Sequence, residues 1–83
     1  HVYYFHKNKL IGVKTKIDYS DGNNSLARAL ETYTEVYSDY LEEFNEIPAT
    51  INSFTVNTEQ EFVNVYIDRN EKGYNLVHCI FKN

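Results

Sequence analysis

Eighty-three residues with a formal net charge of −4 and an apolar fraction of 42% describe one small folded domain with a modest core, and they exclude a disordered chain. An acidic chain lacks the clustered Lys and Arg that backbone-driven nucleic-acid binding needs, so no direct nucleic-acid contact is expected. No apolar run approaches the roughly 18 residues of a membrane-spanning helix. With one cysteine, Cys79, no intrachain disulfide can form, which leans toward a reducing compartment such as the cytoplasm without excluding secretion. The first residue, His1, reads as the start of a trimmed or processed chain.

Val2–Phe5 (VYYF) and Leu10–Ile17 (LIGVKTKI) read as two strands of a hairpin across the polar break 6–9. Ile11, Val13 and Ile17 share one face of the second strand, and Lys14 and Lys16 the other. Gly12 marks either a bulge or a neighbour with a large ring. Lys7, Lys9, Lys14 and Lys16 make a basic strip. It fits a solvated face or protection of a sheet edge. Asp18–Asn23 is a loop by composition.

One long helical pattern follows, Asn24–Glu46, with Asn23, Asn24 or Ser25 available to cap it. At 100° per residue, Leu26, Ala29, Leu30, Tyr33, Val36, Tyr37, Tyr40, Leu41 and Phe44 fall within one arc. Glu31, Glu35, Asp39, Glu42, Glu43 and Glu46 fall on the opposite arc. Ile47-Pro48 is expected to end the helix, because proline pushes the preceding residue out of the α region. The strands Thr50–Val56, Phe62–Asp68 and Tyr74–Phe81 come next, with Gly73 placed for a positive φ in the last turn. The fold class is therefore α+β, in the order ββαβββ, with a mostly antiparallel sheet and one long helix packed on one face.

Val63, Val65 and Ile67 are expected under the helix, with Phe62 and Tyr66 on the other face. Several strands carry large apolar groups on both faces, so one helix cannot cover them all. Either the sheet curls on itself, or Phe62, Tyr66 and Tyr74 form a self-association surface, for which a second copy of the chain is the simplest partner.

Catalysis has little support. His78 and Cys79 are neighbours in a strand and point to opposite faces, so they cannot activate each other, and Cys79 reads as a buried structural cysteine. The three histidines and one cysteine show no metal-ligand spacing, and no glycine pattern cradles a phosphate; no catalytic residue, metal or cofactor is expected. Asn23-Asn24-Ser25 matches the N-glycosylation pattern, but helix capping already accounts for it. The acid stripe is different. Six acids and no base occupy 31–46, whereas 1–30 carry five bases and two acids. A surface meant only to be soluble usually mixes signs. Glu31, Glu35, Asp39 and Glu43 are instead like charges at four-residue spacing, each contact costing a few tenths of a kcal/mol.

The VYYF and LIGVKTKI strands, the ARALE helix start, EIPATINSFTV and FVNVYID together resemble the GerMN domain of bacterial sporulation, germination and envelope proteins. The resemblance covers residues 2–68, and it departs from the family where the helix runs on without a Gly-Pro break. It implies a non-enzymatic, extracytoplasmic binding or scaffolding role. The residues themselves point first to a protein-interaction module of the inhibitor or nucleic-acid-mimic kind. Its acidic helix face would dock a basic protein partner, and it would carry no enzymatic activity.

Overall fold

A computed structural model describes residues 1–19 and 24–83. The order is β1 (Val2–His6), β2 (Lys9–Asp18), α1 (Ser25–Phe44), β3 (Ser53–Asn57), β4 (Glu61–Asn70) and β5 (Gly73–Lys82). All five strands join one sheet in the order β1-β2-β5-β4-β3, every neighbouring pair antiparallel. The chain is α+β, with the single helix of the described residues packed on that sheet. The loop expected at 18–23 lies largely outside the described residues, as does the capping and glycosylation candidate Asn23.

The last strand in sequence is the middle of the sheet, paired with β2 on one side and β4 on the other. That position explains why β5 is apolar in both parities. Opposed residues share a face, so Val63↔Ile80, Val65↔His78 and Ile67↔Leu76 lie on the helix side, with Phe54 and Val56 of β3. Tyr33, Ile47, Phe54, Val56, Val63, Val65 and Leu76 form the buried core. Phe54 is its centre. Tyr33, Tyr37 and Tyr40 of α1 surround it with ring centroids at 5.7, 5.3 and 5.6 Å. Tyrosine, and not phenylalanine, suits these positions because each ring ends at a polar group. Tyr33 donates its hydroxyl to the Thr50 carbonyl and Tyr37 to the Ile47 carbonyl, both at 3.1 Å. The two bonds hold the connection from α1 to β3 against the helix.

The helix is shorter than its periodic pattern at both ends. Asn45 adopts a positive φ of 62°, and its N–H bonds to the Leu41 carbonyl at 3.0 Å. With ψ at −46° and the Glu46 N–H bonded to the Phe44 carbonyl at 2.6 Å, Asn45 is the centre of a γ-turn, which stops the helix before Ile47-Pro48 is reached. Asn24 is the residue that flanks the first turn, but it too has a positive φ and its side chain makes no capping bond. Ser25, the other candidate cap, instead accepts a hydrogen bond from the Tyr74 N–H at 2.9 Å, tying the helix start to β5. Strand β3 begins three residues later than expected, because the Thr50 hydroxyl takes the Ser53 N–H at 3.1 Å and bends 50–52 into a turn.

The β1–β2 connection is a two-residue turn with Lys7 and Asn8 both at positive φ (51° and 65°), the twist that a tight hairpin requires. Gly12 has a neighbour with a large ring: a Cβ there would stand 2.6 Å from Phe81 Cε1 and 3.0 Å from the Ile80 carbonyl oxygen. The register also shifts beside it, since Tyr4 pairs with Gly12 and Phe5 with Leu10, leaving Ile11 of β2 as the extra residue, so both readings of Gly12 meet at one place. Gly12→Val is expected to cost about 1–3 kcal/mol by overpacking, read as a lower urea midpoint with unchanged slope. An unchanged midpoint would show that the Phe81 ring turns aside freely.

The uncovered face of the sheet is closed by its own side chains. Val77 and Cys79 are buried there, opposite Lys16 and Lys14 of β2 and Tyr66 and Asn64 of β4. Lysine stems lie along apolar surface while their charged ends stay in water. Part of the basic strip thus has a structural use: it helps roof a face that the helix does not reach.

Candidate functional site

All six acids of the expected stripe are exposed. Glu31, Glu35, Asp39, Glu42 and Glu43 stand on α1, and Glu46 lies just beyond its end. The last turn of the helix holds no basic residue. Glu42 and Glu43 therefore sit where the partial negative charge of the helix carbonyls already accumulates, a position that favours cations. Arg28, the helix's own cation, is turned to the Tyr19 ring, 5.0 Å from its centroid. Tyr19 in turn shares a 2.6 Å hydrogen bond with Thr32. The stripe thus combines three costs that folding does not require: acids in i,i+4 register, acids at the negative end of the helix, and a cation engaged elsewhere.

Beside the end of the stripe is a notch of about 200 Å³ between the helix end and β3, lined by Phe44, Glu46, Ile47, Pro48, Thr55, Val56, Asn57 and Thr58. Four apolar residues share its lining with one carboxylate, Glu46. Periodicity could not have found the notch, because it depends on where the chain turns after Phe44.

The expected self-association residues do not form one group. Phe62 and Tyr66 share the uncovered face, paired with Phe81 and Val77. Tyr74 pairs with Arg69 and has the opposite parity, which puts it on the helix side. The hairpin carries apolar side chains that are more exposed than these: Val2, Tyr3 and Phe5 stand at 52%, 55% and 64%.

His78 meets the helix rather than Cys79. Its Nε2 is 2.9 Å from the Tyr40 hydroxyl, and the rings pack edge to face at 5.9 Å. Burial holds the His78 imidazole below its ordinary value of 6.5. Burial first, and then the Glu61 and Glu43 carboxylates, push the Tyr40 phenol up. Burial disfavours the charged imidazole ring, so the folded state prefers His78 uncharged. Its contribution is complete above the unfolded value of 6.5 and is lost as pH falls below that through the lower folded value. The urea midpoint should therefore decline as pH falls below about 6.5, and His78→Gln should flatten that decline. An equal decline in the variant would place the acid-sensitive group elsewhere. No group of three or more His, Cys, Asp or Glu able to hold a metal ion occurs among the described residues. Cys79 is a buried free thiol.

No helix of the described residues is long and apolar enough to cross a membrane. Comparison with family models, curated proteins and solved structures gave no match. The resemblance to the GerMN domain accordingly rests on the sequence features of residues 2–68 alone.

Proposed function

We propose that this domain is a non-enzymatic protein-interaction module that docks a basic protein through Glu31, Glu35, Asp39, Glu42, Glu43 and Glu46. The observation that carries the reading is the exposed, single-signed stripe, which is maintained against both its own repulsion and the helix dipole. A surface that lowers stability and remains single-signed is accounted for by a partner of opposite charge. Complementary charge would speed the encounter and fix orientation. The notch lined by Phe44, Ile47, Pro48 and Val56 supplies what charge alone lacks, a place for one apolar side chain of the partner to be buried. An inhibitor or antagonist, or a mimic of nucleic-acid charge spacing, works in this way.

The test compares partners captured by the native chain with those captured by a Glu35→Lys/Glu43→Lys variant. A partner bound by the first and absent from the second assigns the stripe as the docking surface. Capture of the same partners by both forms would overturn the reading.

A further inference from the structure

The two edges of the sheet are finished differently. Edge strand β3 is covered on its outer side, where Ala49 bridges to Phe54 and the Thr50 N–H bonds to the Ser53 carbonyl at 2.8 Å. Edge strand β1 has β2 as its one strand neighbour. Its residues, Val2-Tyr3-Tyr4-Phe5-His6, include no Lys, Asp, Glu or Pro, with which edge strands usually discourage pairing. The lysines of the basic strip stand at the turn and on β2 instead. Helix α1 packs over β4 and β5, and β2 separates β5 from β1, so all five residues of β1 stay exposed.

The main chain of β1 is set to pair with another strand. His6 and Lys9 face each other across the two-residue turn, and such a turn bonds that pair together. Bonding direction alternates along a strand, so Tyr3 and Phe5 turn their N–H and C=O groups away from β2, toward the open side. Two copies placed antiparallel about a two-fold axis at Tyr4 oppose Tyr3 of each to Phe5 of the other, and each such pair exchanges two hydrogen bonds. The side chains match as well. Tyr3 and Phe5 lie on the helix side of the sheet, so the two copies bring four rings together there. The two Tyr4 rings meet on the other face, each backed by Phe81 at 5.3 Å. We propose that the chain forms a two-fold dimer by pairing β1 with β1 of a second copy, which joins two five-stranded sheets into one and closes both open edges. At about 200 Å² for a whole ring, the exposures of 55%, 36% and 64% at Tyr3, Tyr4 and Phe5 leave roughly 300 Å² of ring open in each copy. With Val2 and the strand backbone, pairing buries on the order of 1,000 Å² in all, the lower bound of a specific interface. The dimer is accordingly weak. It uses neither the acidic helix face nor Phe62, Tyr66 and Tyr74.

The experiment is sedimentation equilibrium of the 83-residue chain from about 10 µM to about 1 mM. The expected result is a reversible rise of the mean mass from 9.8 kDa toward twice that value. Tyr3→Pro removes an outward N–H without taking a bond from β2, and Phe5→Lys puts a charge at the contact. Each should keep the native circular dichroism and weaken dimerisation about tenfold or more. In Tyr4→Cys the two thiols meet at the axis, so oxidation should link the copies, whereas Tyr3→Cys should not link them. Should Tyr3→Pro not fold, Phe5→Lys and Tyr4→Cys decide alone. A mass that stays at 9.8 kDa throughout would overturn the proposal and leave the edge to a strand of another protein. A dimer undiminished in folded Phe5→Lys but lost in Tyr66→Lys would overturn it equally and place the contact on the uncovered face.

Discussion

Phe54→Ala should cost about 3–5 kcal/mol, the range for removing a buried aromatic ring from a core, and leave the domain largely unfolded at moderate temperature. Phe54 is 1% exposed and packs against three tyrosine rings at once. The damage would not stop at the ring's own neighbours. Tyr33 and Tyr37 hold the carbonyls of Thr50 and Ile47, so they cannot swing inward to fill the space without giving up those hydrogen bonds. A cavity that cannot collapse lies at the expensive end of the range. Phe54→Leu, which keeps much of the volume, should be markedly milder. Urea unfolding followed by tyrosine fluorescence would measure both. A cost below about 1 kcal/mol for the alanine variant would mean that the helix does not depend on Phe54 for its seat.

Glu35→Lys/Glu43→Lys should make the isolated domain more stable while removing its proposed activity. The two changes turn 31–35–39–43 into an alternating ladder, so three repulsive i,i+4 pairs become attractive. They also place a cation in the last turn of α1, which has no basic residue of its own. Each repulsion relieved and each attraction formed is worth a few tenths of a kcal/mol, so the sum is about 1–2 kcal/mol, a rise of several degrees in Tm for a domain this small. Salt should shrink the difference, since these side chains are exposed. A variant that is no more stable than the native chain would show that the stripe costs nothing, and the reason for assigning it a function would go with it.

Much of the fold could be read from residue patterns. Period-2 alternation in FVNVYID places Val63, Val65 and Ile67 beneath the helix, and the 3.6-residue period separates the tyrosine face of α1 from its acidic face. What could not be read depends on single backbone choices or on contacts between distant segments. Asn45 stops the helix early by accepting a positive φ. The Thr50 hydroxyl delays β3 by capturing a nearby N–H. Tyr74 falls on the helix side because the register across β4 and β5 decides its parity, and its neighbours in sequence do not. The acid stripe is legible for the same reason that the helix is, since both follow from one period. The notch beside Glu46 is not, because it is built by residues from separate elements.

Binding of a basic protein by the acidic face of α1 is tested most directly by salt. The measurement is the Kd of the captured partner for the native chain at about 0.05 M and about 0.5 M salt. Affinity should fall at least tenfold across that range, chiefly through a slower association rate. An affinity unchanged by salt would contradict docking through these carboxylates.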